Sequence, residues 1–176
     1  MKEADTISQR EETVDTAQTV TRERDFYTWL LNQAASLRSR QSNHIEWDAI
    51  AEELEAMAAK ERRDLVGHLR TVLTHLLKWQ YSSARRSERS WRDSLVRARQ
   101  DATEILDDSR TLRNELSTHL EKAYGQARSL AGSQMRLERS DWQRLFPGTC
   151  PWDAKGEVLN EDFFPSPIER AGRRTR

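Results

Sequence analysis

The chain has 176 residues, of which 33% are charged and 36% hydrophobic, with only six glycines and four prolines. A chain of this length can bury one sizeable core, and the scarcity of turn residues favours helices over a sandwich of short strands. Twenty-nine basic residues balance twenty-nine acidic ones, so no overall field attracts the chain to nucleic acid or to anionic lipid.

The compartment follows from what the chain lacks. The amino terminus has no apolar run of the kind found in signal peptides, and no later stretch is long enough to span a membrane. Cys150 is the only cysteine, which excludes an internal disulfide and a cysteine-cluster zinc site. The sequence therefore predicts a cytoplasmic protein without membrane contact, and we expect it to have no cofactor.

The two ends of the chain differ in composition from its middle. Residues 1–24 are rich in Thr, Glu, Gln and Arg and have no convincing apolar face, so they predict a disordered or frayed extension. Residues 25–166 form the predicted helical domain, and residues 167–176 predict a flexible basic tail. No segment alternates apolar and polar residues for long enough to be a strand. The predicted fold is all-α, a single bundle of about five helices with an irregular C-terminal strap.

Apolar residues recur at helical spacing in five segments. Four of these segments begin beside a residue that can cap free backbone amides, namely Asp25, Asp48, Ser90 and Ser109. The third segment carries the leucines from Leu65 to Leu77 and has no such cap. Neither Gly nor Pro separates it from the second segment, so no residue marks the break between these two helices. We place that break near Ala58 to Lys60.

One edge of the third predicted helix carries His68, His75 and Trp79, at the margin of its leucine face. A margin position suits a ring with a buried body and a polar tip, which favours a structural role. Antiparallel packing against the acidic second helix would place Glu52 or Glu53 beside His75. His75 with Glu52 or Glu53 is therefore the candidate catalytic pair, although such a pair also forms ordinary structural hydrogen bonds.

A metal site is a further alternative on this helix. His68 and His75 stand about 10 Å apart along the axis, too far to share one zinc ion. Asp64 with His68, and Glu115 with His119, have the four-residue spacing that suits one metal ion, if their helices face each other. Such pairs are frequent by chance in a chain this charged, so we predict no metal.

An arginine-rich connector follows the histidine helix. Arginines beside aromatic residues bind phosphates, stack on bases or pair with carboxylates; the four are Arg85, Arg86, Arg89 and Arg92. The dense negative charge of the second helix favours internal pairing, through contacts such as Arg86 or Arg89 with Glu52 or Glu53. Binding of an anion or of nucleic acid through the four arginines is the alternative.

Three tryptophans have predicted structural roles. Trp79 and Trp91 are expected to be buried where the third and fourth helices meet. Trp152 lies in the segment FPGTCPW, whose prolines and apolar side chains predict a strap laid across a groove. Cys150 in this segment has no neighbouring base in the sequence, so we interpret it as structural.

Several segments together resemble a known family. HLLKWQY with the Arg/Ser run that ends in SW, DFYTWLLNQAASLR, AEELEAM, LFPGTCPW and VLNEDFFP occur in the same order as in the bacterial family called domain of unknown function 29. The resemblance covers about residues 25–165 and implies a compact helical domain in a bacterial protein. It implies no activity and no catalytic residues. The segment AMAAKERR departs from the family because it lacks the glycine that such sequences tend to carry between the second and third helices.

No complete catalytic constellation can be assembled from these residues. We therefore predict a small, non-enzymatic helical interaction module with a protein partner and no membrane. The first alternative is the anion or nucleic-acid binder that uses the connector. The second is a hydrolase or metal-dependent enzyme that uses His75 and the acidic residues of the second helix.

Overall fold

The computed structural model describes residues 21–82 and 88–168 of the chain. The predicted amino-terminal extension and basic tail fall largely outside these residues. All regular secondary structure within them is helical, which confirms the all-α fold. The chain divides into two compact units, residues 1–55 and residues 56–176.

The N-terminal unit contains helix α1 (Phe26–Ser39), a short 3-10 turn (Ser42–His44) and the first residues of helix α2 (Trp47–Tyr81). Helix α1 begins as predicted, because the carboxylate of Asp25 accepts a hydrogen bond from the amide of Thr28 at 3.0 Å. Asp48 was expected to cap α2, but it lies inside the first turn. There its negative charge still favours the helix start.

The second unit holds the rest of α2 and every later helix. In chain order these are α3 (Glu88–Asp108), α4 (Arg110–Asn114), α5 (Leu116–Gln134), α6 (Arg139–Leu145) and a single π-helical turn (Ala154–Val158). Its core combines the leucines of α2 with apolar residues of α3, α5 and the C-terminal strap. Burial of these side chains is the main stabilising contribution to this unit.

Helices α2 and α3 run antiparallel, because residues later in α2 contact residues earlier in α3. Nδ1 of His68 lies 3.4 Å from a carboxylate oxygen of Asp101. Ten residues further along α2, Nζ of Lys78 lies 4.7 Å from the ring centroid of Trp91. The two helices therefore pack side by side in opposite directions.

Helices α2 and α5 run parallel. Arg70 donates a hydrogen bond to Gln126 at 3.4 Å, and Lys78 donates one to Gln134 at 2.9 Å. From the first contact to the second, the residue numbers rise by eight on both helices, so the two helices stay in register. With α3 running in the opposite direction, the long helices of this unit form an up-down-up bundle.

The predicted break between the second and third helices is wrong. Helix α2 runs without interruption from Trp47 to Tyr81, through the residues Ala58 to Lys60. This stretch is rich in Ala, Met, Lys, Glu and Arg, all strong helix formers, and Lys60 pairs with Asp64 one turn on at 2.5 Å. Nothing in the segment disfavours helix, so the helix continues through it.

The predicted fifth helix is divided instead. Ser109 caps it as expected and accepts a hydrogen bond from the amide of Leu112 at 3.3 Å, but α4 ends after five residues and α5 begins at Leu116. The side chain of Arg113 turns back to donate to the carbonyl of Leu106 at 2.7 Å. Arg113 thereby satisfies an acceptor at the end of α3.

Helix α6 folds back on the end of α5 at a glycine. The ring of Trp142 lies so close to Gly132 that a Cβ atom there would meet Cδ1 of the ring at 2.4 Å. Arg128 ties the same two helices together by donating to the carbonyl of Phe146 at 3.1 Å. The close approach of α6 therefore requires a residue without a side chain at position 132.

We expect Gly132→Ala to lower the free energy of unfolding by about 1–3 kcal/mol, since the added methyl group must displace the Trp142 ring. Gly125→Ala is the matched control on the same helix, where nothing lies within 4 Å of the new Cβ atom. It should raise stability by roughly 0.5–1 kcal/mol through helix propensity alone. Urea titration of both variants measures the contrast, and equal effects would contradict the packing described here.

Candidate functional site

His75 lies on α2 with its ring half-buried in the second unit. Its Nδ1 atom is buried and has no hydrogen-bond partner among the described residues. Burial lowers the pKa of His75 to about 4, and the charge of nearby Lys78 acts in the same direction. The imidazole is therefore neutral at pH 7 and has a pKa far below the range that favours a general base.

The predicted pairing of His75 with Glu52 or Glu53 depended on a turn between the second and third predicted helices near Ala58 to Lys60. Helix α2 has no such turn, because it is continuous from Trp47 to Tyr81. The pairing therefore loses the argument on which it was based.

His75 should make stability depend on pH below neutrality. Its folded-state pKa of about 4 lies below the unfolded value, so the unfolded state binds more protons between these two values. Stability is fully present above about pH 6.5 and is lost as pH falls towards 4, with a slope below about 1.4 kcal/mol per pH unit because the ring is partly exposed. Urea titrations at several pH values should show a flatter profile for His75→Asn, and an unchanged profile would contradict this assignment.

Glu52 and Glu53 have a different partner, one that the sequence did not suggest. Arg22 donates to Glu52 at 2.7 Å and also pairs closely with Glu53. The hydrogen bond to Glu52, followed by the one to Glu53, raises the pKa of the Arg22 guanidinium. Arg22 falls within the segment predicted as an extension, and its partners follow about thirty residues later. Residues 22–53 therefore fold together as one unit.

The connector arginines are only partly described. Arg85 and Arg86 lie outside the described residues. Arg89 and Arg92 are exposed on the first turns of α3, and the guanidinium of Arg92 lies 4.6 Å from the ring centroid of Phe164. The described connector arginines form no ion pair with Glu52 or Glu53, whose contacts are with Arg22.

The three tryptophans differ in burial. Trp91 and Trp152 are 8% and 7% exposed, respectively, and belong to the buried set of the second unit. Trp79 is only half-buried. Its ring packs at a tilt of 43° against the ring of Phe164 in the strap, at a centroid separation of 4.8 Å, so Trp79 contacts the strap at the edge of the core.

The histidine and carboxylate pairs do not combine into a metal site. His68 contacts Asp101 at 3.4 Å, whereas Asp64 pairs with Lys60. Nε2 of His119 lies 3.5 Å from its own helix neighbour Glu115. Within residues 21–82 and 88–168, no group of three or more His, Cys, Asp or Glu side chains is placed to share a metal ion.

Cys150 sits partly buried in the strap, where its thiol contacts the carbonyl of Trp152 at 3.5 Å. Burial raises the pKa of this thiol to about 11, so it stays protonated at neutral pH. A protonated thiol is a weak nucleophile.

The strap is held by a residue that sequence reasoning missed. Arg99 on α3 is fully buried, and its guanidinium donates only to backbone carbonyls of the strap. The acceptors are Val158 at 2.8 Å, Phe163 at 2.9 Å, Glu161 at 3.2 Å and Glu157 at 3.3 Å. Burial lowers the pKa of Arg99 to about 10, which still leaves it charged at neutral pH. A sequence signal exists, since Arg99 lies between Leu95 and Ala102 in the apolar stripe of α3.

The N-terminal unit is polar where its elements meet. The indole of Trp29 donates to the carboxylate of Glu46 at 2.7 Å, and the amide oxygen of Gln33 accepts from the backbone of Glu46 at 2.9 Å. Trp29 and Gln33 are both buried. Hydrogen bonds and the Arg22 ion pairs therefore provide the specific contacts between these elements.

The same unit exposes its large apolar side chains. On α1, Tyr27 is 72% exposed and Leu31, one turn further along, is 52% exposed. On α2, Trp47 and Leu54 are seven residues apart on one face, with exposures of 58% and 61%. We call the exposed residues Phe26, Tyr27, Leu31, Leu37, Trp47 and Leu54 the apolar surface of the N-terminal unit.

This apolar surface is the feature of the described residues best suited to recognition. Single exposed apolar residues are common, but six large ones within about thirty residues are characteristic of a surface that contacts another molecule. Aromatic residues at such a surface supply much of the binding energy of protein interfaces. None of the described helices is both long and apolar enough to cross a membrane.

Comparison with known families identifies one match. A family model described as Domain of unknown function DUF29 matches residues 22–164, which includes both units and the strap up to Phe164. Comparison with curated proteins and with solved structures finds no significant match. Because the family model covers most of the chain, the protein belongs to the DUF29 family.

Proposed function

We propose that this protein is a non-enzymatic interaction module that binds a protein partner through the apolar surface of its N-terminal unit. The observation that carries this proposal is the arrangement of that unit, with polar contacts inside and large apolar side chains outside. Folding of the unit alone leaves this surface in water, which costs free energy that a partner would recover.

The second unit is a packed bundle in its own right. Its long helices share one apolar core, and Arg99 fixes the strap to α3 through four backbone carbonyls. We also propose that the protein is bacterial, in keeping with the family resemblance, and that it acts in the cytoplasm.

The experiment compares partners captured by three forms of the full chain. Trp47→Gln with Leu54→Gln removes apolar contacts from the N-terminal unit without adding charge. Leu130→Gln is the matched control, because Leu130 is a 39% exposed leucine on α5. Exposed positions tolerate such changes within about 0.5 kcal/mol, so all three should stay folded.

A protein recovered with the wild type and with Leu130→Gln, but lost with the double variant, supports the proposal. Equal recovery with all three forms contradicts it. Circular dichroism on the same samples confirms that the double variant remains helical.

Anion binding through the connector is a second candidate, favoured by one observation. Arg89 and Arg92 are exposed and form no ion pair with the described carboxylates. Arg89→Gln with Arg92→Gln should then weaken binding to a short fluorescent oligonucleotide and reduce its salt dependence. No measurable binding by the wild type at low salt rejects this candidate.

A further inference from the structure

We infer that the apolar surface of the N-terminal unit is covered by the same surface of a second copy of this chain. This inference rests on the proposed function and names its partner. The partner is identified by the charge that accompanies the apolar residues on each helix, since that charge differs in sign between α1 and the start of α2.

Helix α1 carries only positive charge. Arg38 is the sole charged residue between Phe26 and Ser39. Arg40 comes directly after Ser39 and is the C-terminal cap of the helix. Both are exposed. Arg38 lies seven residues, about two helical turns, after Leu31, so both side chains lie on the same face of the helix.

The start of α2 carries only negative charge. Residues 47–55 have the sequence WDAIAEELE, with four acidic side chains and no basic one. Two of these, Glu52 and Glu53, are engaged by Arg22. Asp48 and Glu55 are exposed beside Trp47 and Leu54 and form no ion pair among the described residues.

A dimer with two-fold symmetry would cover the exposed apolar residues of both helices and pair their opposite charges. In an isologous dimer, every contact made by one copy is made again by the other. If α1 of one copy packs on the start of α2 of the other, Arg38 and Arg40 approach Asp48 and Glu55, and the apolar residues of both helices are covered. This contact forms twice, so the surface is complementary to itself in charge as well as in hydrophobicity.

The surface is large enough for a specific dimer. At the exposures observed, its six side chains leave on the order of 600 Å² of mostly apolar area accessible in each copy. Two copies together therefore reach roughly the 1,200 Å² at the lower end of stable protein interfaces. Backbone and charged side chains at the rim add to this area.

Sedimentation velocity of the purified full chain over a range of concentrations tests the inference. We expect a dimer for the wild type and for Leu130→Gln. Trp47→Gln with Leu54→Gln should raise the dimer dissociation constant at least about 30-fold, the effect expected for truncation of an interface hot spot. A wild type that stays monomeric at every soluble concentration overturns the inference.

Charge reversal tests the pairing itself. Arg38→Glu with Arg40→Glu should place like charges opposite each other in a homodimer, and Asp48→Lys with Glu55→Lys should do the same with the opposite sign. Each variant alone should dissociate, whereas an equimolar mixture of the two should form a heterodimer, because both contacts are then attractive. A mixture that remains monomeric overturns the proposed arrangement of α1 on α2.

The two proposals fail in different ways. If the wild type is monomeric but another protein is captured through Trp47 and Leu54, the second copy is wrong as the partner and the interaction module stands. If neither a dimer nor a captured protein depends on these residues, both proposals are wrong.

Discussion

Replacing Arg99 with methionine should lower the free energy of unfolding by about 3–5 kcal/mol. The buried guanidinium donates to four backbone carbonyls of the strap. Methionine fills a similar volume but leaves these acceptors without a donor, and each unsatisfied buried acceptor costs about 1–3 kcal/mol before any relaxation. Urea titration measures the loss directly.

Two further variants separate the role of Arg99 from a general effect of removing charge. Arg97→Met removes an exposed arginine from the same helix and should change stability by less than about 0.5 kcal/mol. Arg99→Lys keeps the charge but cannot reproduce the fork of donors that contacts four carbonyls, so it should fall between the wild type and Arg99→Met. Equal stability of Arg97→Met and Arg99→Met would contradict the strap contacts.

Trp91→Ala should cost about 3–5 kcal/mol, because Trp91 is only 8% exposed at the start of α3. Trp79→Ala should cost clearly less, since the Trp79 ring is half-buried and packs against Phe164. From the sequence alone, both rings were expected to be buried. Urea titrations of the two variants check the order, and a larger loss for Trp79→Ala would reverse the assignment of their roles.

Local signals in the sequence predicted the helical fold and two of its helix starts. Asp25 and Ser109 cap their helices by accepting hydrogen bonds from amides three residues later, and contacts at that range are visible in a sequence. The continuity of α2 was missed because a break was placed near Ala58 to Lys60 although no residue there marks one. Without Gly, Pro or a capping residue, nothing in the segment ends a helix.

The contacts that organise the candidate sites connect residues far apart in sequence. Arg99 binds carbonyls about sixty residues away, and Arg22 pairs with carboxylates about thirty residues away. A charge pattern shows that an arginine needs a partner, but it does not select among the many carboxylates and carbonyls of the chain. The sequence alone therefore did not identify Arg22 as a partner of Glu52 and Glu53.

The exposure of apolar residues in the N-terminal unit could not be predicted from their spacing. Phe26, Leu37 and Leu54 follow helical spacing, which predicts a face directed into a core. The same spacing describes a face directed towards a partner, because periodicity gives the side of a helix and not what covers it. Only the hydrogen bonds of Trp29, Gln33 and Glu46 show that the inner side of this unit is polar.

The central claim is that another polypeptide covers the apolar surface of the N-terminal unit in the cell. The most direct test incorporates a photoreactive phenylalanine analogue at Leu54 and, separately, at Leu130 of the full chain, followed by irradiation of living cells. We expect a discrete covalent protein adduct from position 54 and none from position 130, and mass spectrometry of the adduct identifies a second copy or another protein. No adduct at position 54, or the same adducts from both positions, would contradict the claim.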